Sequence, residues 1–136
     1  TVLVEGDDLN DPVADTVRGI LDGHIVLCRK LAHRNHFPAV DVLGSVSRVM
    51  NAVVDEEQLE VARDFRETLA NLAEVKELQA LGAYQLGNSA ELDKALKLES
   101  KITSFLRQRS PDNSSEETLL SLFKTTLELP SESQRF

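Results

Sequence analysis

The residue with the most chemistry to offer is Arg48, in the stretch DVLGSVSRVM over residues 41–50. A guanidinium set between small polar and apolar neighbours has two readings. It is a surface cation closing a strand or turn, or a charge held rigid because an anion must meet it, since its planar fork of donors matches phosphate and carboxylate oxygens. At the N-terminal end, EGDD gathers Glu5, Asp7 and Asp8. That string reads as a carboxylate cluster for Mg²⁺ or acid–base work, or equally as a solvated turn whose Asp side chains bond the local backbone. Cys28, in the apolar run HIVLCRKLA, has no activating constellation and reads as a small buried hydrophobe. His33 and His36 are three apart and could share a helical face, but a metal site needs further ligands at supporting spacing, so no metal is assigned. The chain carries neither a GxxxxGK[ST] nor a GxGxxG phosphate loop. Residue types alone leave the active site incomplete.

Composition narrows the elements that position these residues. A chain of 136 residues is a usual size for one domain and can bury a real core. Aromatics are 4% and Trp is absent, so the core must be built from Leu, Val, Ile and Ala, which favours helices. The net charge of −8 argues against a general nucleic-acid or membrane-surface binder, because both need a cationic face. A single cysteine makes no internal disulfide and points to a reducing compartment. No apolar run approaches membrane-spanning length. The opening TVLVEGDD, without a Met, reads as a strand running into an acidic turn in the middle of a larger protein.

Two regions of different period follow. Up to about residue 50, short apolar runs alternate with turns. TVLVE is a strand, and Asp11 caps a helix with Pro12 at its first position. Val13, Val17, Ile20 and Leu21 form the apolar face of that helix, and Asp22-Gly23 ends it through a glycine cap. HIVL is a second strand, and CRKLAHR is one or two helical turns. Two strands make a poor sheet alone, so this region reads as the edge of a larger one. The second region is helical throughout. Asp55 caps a long helix with Gln58 as its capping-box partner. Its stripe of Leu59, Ala62, Phe65, Leu69 and Leu72 continues towards Leu78 and Leu81 and stops at Gly82. Asn88 or Ser89 opens the next helix, with Leu92, Ala95, Leu96, Ile102, Phe105 and Leu106 as its apolar residues. After the breaker RSPDNSSEE, Ser114 and Glu117 form another capping box before a last helix with Leu119, Leu120, Phe123 and Leu127.

Several strings together resemble one family. VEGDDLNDPVADTVRGILDGHIVL, HFPAVDVLGSVSRVM, GAY and FLRQ are similar, in order and without large gaps to about residue 108, to the C-terminal third of type III protein-export ATPases. These are the flagellar and virulence-secretion relatives of the rotary ATP synthase catalytic and regulatory subunits. The resemblance implies an α/β edge of a RecA-like P-loop ATPase core over residues 1–51, an all-α C-terminal helical domain over 52–129 and a frayed tail over 130–136. It also implies an upstream P-loop, catalytic carboxylate and β-barrel outside these 136 residues.

By the same resemblance, Arg48 matches an arginine finger that reaches the γ-phosphate held by the neighbouring subunit of a homo-oligomeric ring. Such a fixed fork stabilises charge on the transferring phosphoryl oxygens. The alternative is a structural arginine paired to a nearby carboxylate. Phe37 matches the aromatic that stacks on adenine, with Pro38 fixing the backbone behind it, or else it is a core residue. The family implies ATP and Mg in the full-length enzyme, none bound by this segment alone, and ATP hydrolysis that releases chaperones and feeds export substrates. It implies partners as well: export chaperone–substrate complexes, a coiled-coil stalk protein and a regulator, but no nucleic acid. The location it implies is the cytoplasmic face of a bacterial secretion apparatus, peripheral to the inner membrane at most. The acidic face of Glu56, Glu57, Glu60, Asp64 and Glu67 then either steers basic partners or serves solubility. The rival reading is a non-catalytic helical docking module whose partner binding is its whole function.

Overall fold

A computed structural model of the chain describes residues 11–108 together with Ser121 and Lys124. The expected TVLVE strand, the EGDD carboxylates and most of the last expected helix lie outside these residues. Helix α1 (Pro12–Ile20) begins as its sequence demands, with the Asp11 carboxylate accepting from the Val13 and Ala14 amides, both at 3.1 Å. Its end differs from expectation. The chain leaves the helix at an extended Leu21, and Gly23 opens strand β1 (Gly23–Leu27) instead of capping α1. The glycine is required by close approach, because a Cβ on Gly23 would stand 2.6 Å from the Val46 carbonyl oxygen. The expected apolar face of α1 is also turned outward: Val13, Ile20 and Leu21 are exposed, and only Ala14 is buried.

After β1 comes the one-turn helix α2 (Arg29–His33), then strand β2 (Val40–Ser47), which pairs antiparallel with β1. The turn between them separates the two histidines. His33 closes α2, Asn35 takes a left-handed φ of 54°, and His36 follows it, so the two imidazoles share no helical face. Cys28 is partly exposed at the start of α2, not the buried hydrophobe expected, because its position caps a surface turn. On β1, Ile25 and Leu27 fall on the same face and are 76% and 72% exposed, so this half of the fold carries an uncovered apolar surface.

The helical half builds its own core. A four-residue helix α3 (Met50–Val53) leads to α4 (Glu56–Ala80), whose start is the expected capping box: the Asp55 carboxylate takes the Gln58 amide at 2.7 Å while Gln58 Oε1 accepts from the Asp55 amide. Its end is closed by Gly82 at φ 68°, with Gly82 N donating to Gln79 O and Ala83 N to Leu78 O, the doubled closure that a left-handed residue permits. Ser89 caps α5 (Ala90–Leu106). Phe65, Leu72 and Val75 of α4 meet Ala95, Leu98 and Ile102 of α5, with the Phe65 and Phe105 rings edge to face at 5.6 Å. The stripe therefore turns to Val75, fully buried, and not to Leu81, which is 74% exposed. The connector is pinned to α5 by Asp93, which accepts from the Tyr84 hydroxyl and, at 2.9 Å, from the Gly87 amide. That bond, with burial and the carboxylate charge, pushes the Tyr84 phenol up. Of the last expected helix, Ser121 and Lys124 are helical, and the Lys124 ammonium pairs with Glu57 of α4.

Helix α5 also reaches back to the α/β half. Gln108 N donates to Phe37 O at 3.0 Å, and the Arg107 guanidinium to Arg34 O at 3.4 Å. Partial burial and, secondly, the Arg107 charge hold the nearby His36 below the ordinary histidine value of 6.5. A histidine that binds protons less readily folded than unfolded costs stability as pH falls from 6.5 towards its folded value, and costs nothing above 6.5. In an NMR titration His36 is expected to show a midpoint under 6.5, moving part of the way back up in Arg107→Gln. In chemical denaturation, Ile102→Ala is expected to cost about 2–5 kcal/mol through the cavity it leaves. Leu81→Ala, at an exposed position, should stay within about 0.5 kcal/mol of the parent.

Candidate functional site

Strand β2 carries the candidate site, and its pairing is irregular. Val26 pairs with Asp41 and His24 with Val46, so the single residue Ile25 faces the four residues Val42–Ser45. This excursion is tied internally by Asp41. Its carboxylate accepts the Gly44 amide at 2.9 Å, and its carbonyl accepts the Ser45 hydroxyl at 2.6 Å. Ser45 Oγ in turn accepts the Val26 amide at 2.9 Å, replacing a ladder bond that the excursion displaces. Gly44 is the residue that fits, because a Cβ there would stand 2.9 Å from Asp41 Oδ2.

Arg48 follows directly on the end of β2. Its amide donates to Asp22 O at 2.8 Å, which fixes the backbone at the exit of the strand. Its guanidinium spans Gly19 O at 3.2 Å and Arg18 O at 3.3 Å, both at the C-terminal end of α1. Those carbonyls lie in the last turn of the helix, the end that carries its partial negative charge. The partners are neutral oxygens, where the structural alternative called for a carboxylate. Among the described residues no acidic side chain pairs with Arg48, so the site keeps an uncompensated positive charge at the surface. The mount is backbone: the apolar flanks Val46 and Val49 are themselves exposed.

Phe37 stands apart from Arg48, before Pro38 in the loop between α2 and β2. It is 52% exposed, so it is not buried in the core that the described residues form. Its carbonyl holds Gln108, so the HFPAVD and FLRQ strings, far apart in sequence, meet through one backbone bond. Among the described residues no group of three or more His, Cys, Asp or Glu side chains could hold a metal ion. Sequence reasoning missed Arg66 of α4, whose guanidinium donates to Val42 O at 2.8 Å, Ser45 O at 3.1 Å and Leu43 O at 3.2 Å. Nothing in its spacing marked it among the other charges of a solvated helix.

The chain is similar to known proteins along its whole described length. The ATP synthase alpha/beta family, nucleotide-binding domain, matches residues 1–47, and the T3SS EscN ATPase C-terminal domain matches residues 54–124. The flagellum-specific ATP synthase of Treponema pallidum (strain Nichols) is 54% identical over 108 residues, 79% of this chain and 24% of that protein. Among solved structures, the assembled ATPase EscN of the enteropathogenic E. coli type III secretion system superposes with a TM-score of 0.86 at 44% identity, over 93% of this chain and 31% of EscN. EscN in complex with its central stalk EscO gives 0.78 at 42% identity, over 85% of this chain and 29% of that one. The chain thus spans about a quarter to a third of the length of these relatives. With the EscN C-terminal domain taking in just over half of its residues, this chain belongs to the type III protein-export ATPase family.

Proposed function

We propose that this chain is the C-terminal part of an ATPase that hydrolyses ATP as a homo-oligomeric ring to drive chaperone release and protein export through a type III secretion or flagellar apparatus. Residues 1–51 complete the edge of its RecA-like core, and residues 52–129 form the C-terminal helical domain. The observation that carries the reading is Arg48: a surface guanidinium fixed by backbone bonds at a strand exit, with no described carboxylate to spend its charge on. An anion presented from outside would meet a fork already aimed and only weakly engaged. Transfer of a γ-phosphoryl group spreads negative charge over three oxygens, and a planar donor pair supplied from the neighbouring subunit stabilises that charge more in the transition state than before it.

The exposed faces of β1 and α1 support the same reading. Ile25, Leu27 and Ile20 are core-type residues left uncovered, as expected where the rest of a nucleotide-binding core closes over them. Phe37 supplies the second contact, its ring stacking on the adenine of its own subunit's nucleotide, while the phosphates and Mg are held upstream. The helical domain faces chaperone–substrate complexes and, as the EscN–EscO complex suggests, a central stalk. The assembly works at the cytoplasmic face of the membrane.

The test uses the full-length protein that contains this chain. Arg48→Ala is expected to lower kcat for ATP by about 10³–10⁵ while the protein still binds nucleotide; a variant that retains parental turnover would overturn the finger. Phe37→Ala should raise KM for ATP with kcat little changed, and Phe37→Tyr should restore it, because only the ring face is used. The isolated segment should show no Mg-dependent turnover. A rate abolished by Arg48→Ala in that segment would mean that the catalytic parts lie within these residues after all.

A further inference from the structure

Arg66 connects the two halves of the molecule at one point. It sits on α4, on the first turn beyond buried Phe65, and its guanidinium crosses to β2. There one terminal nitrogen bridges the carbonyls of Val42 and Ser45, and the other takes that of Leu43. These three carbonyls belong to the excursion in which four residues of β2 face the single Ile25, so β1 offers them no regular ladder. The rest of the excursion is held from the sheet side: Asp41 binds Gly44 and Ser45, and His24 Nε2 lies 3.2 Å from Gly44 O. Arg66 is the one described contact that holds the excursion from the helical half by side-chain bonds. Three residues beyond Ser45, the same strand delivers Arg48.

A strand with an unladdered excursion can pivot there, and a pivot would swing the residue that follows. A planar fork on three carbonyls removes that freedom, whereas a lysine, with a single point charge, cannot reproduce its geometry. We propose that Arg66 is a positioning residue for Arg48: it locks the Val42–Ser45 excursion onto α4, so that the helical domain sets where the Arg48 guanidinium stands at the neighbouring subunit's nucleotide. This rests on the reading of Arg48 as the group that meets the phosphate. It adds a residue in the helical domain through which a partner docked there reaches the catalytic charge.

The experiment compares Arg66→Ala, Arg66→Lys and Arg48→Ala in the full-length ring-forming protein, with Arg63→Ala as a control at an exposed site on the same helix. The readouts are ATP turnover, ring assembly by mass and deuterium uptake over residues 41–48. Arg66→Ala is expected to lower kcat roughly 10²-fold with KM for ATP unchanged, the scale of a small misplacement of a catalytic group. Rings should still form, uptake should quicken over 41–48, and Arg66→Lys should recover only part of the rate. The inference is overturned if kcat stays within about twofold of the parent, or falls only in proportion to lost rings, or falls without faster exchange at 41–48. Where Arg66→Ala does not assemble, Arg66→Lys is read by the same outcomes. If Arg48→Ala keeps parental turnover, the reading of Arg48 fails and takes this inference with it. If Arg48→Ala collapses while both Arg66 variants hold their rate, only the role of Arg66 is lost.

Discussion

Four residues of one strand set against one residue of its partner is the constraint around which this structure is arranged. A regular antiparallel ladder between β1 and β2 would leave the stretch from Asp41 to Val46 too short for the residues it contains. The chain absorbs the excess by turning Asp41 and Ser45 into local bonding partners, by placing Gly44 where a side chain would collide, and by lending the guanidinium of Arg66 to the outward carbonyls. Everything downstream inherits that solution, including the exit angle of the strand and the amide bond from Arg48 to Asp22.

The two halves differ in how they meet the cost of ordering a chain. Helices α4 and α5 close over a shared set of aliphatic and aromatic side chains, with both ends of α4 capped, so their burial offsets the entropy lost locally. The α/β half has short elements, a two-stranded sheet and buries one small residue of α1, Ala14. Several of its larger apolar residues, Ile20, Ile25 and Leu27 among them, are exposed. That imbalance is what the proposed reading expects of a segment packed against a larger core.

Arg48 shows how a catalytic candidate and a structural group can be the same side chain. Its bonds to the end of α1 are those of a helix-terminal arginine, favourable by position and dipole. They consume little of its capacity, because neutral carbonyls do not neutralise a guanidinium. The arrangement holds the fork in one place without paying the desolvation cost of a buried ion pair.

Signals confined to a few neighbouring residues were legible in the sequence. Asp11 with Pro12, Asp55 with Gln58, Gly82 and Ser89 each act within one helical turn, so the helix boundaries they mark stand where residue types put them. The shared apolar period of Phe65, Leu72, Ala95 and Ile102 likewise announced a helical core. Only the tertiary structure decided the rest. Gly23 serves a strand crossing and not a cap, Val75 is buried where Leu81 is not, and His33 and His36 part at a left-handed residue. The partners of Arg48 and Arg66 lie about twenty to thirty residues away in the chain, and a guanidinium bonded to backbone carbonyls leaves no complementary residue type in the sequence to betray it.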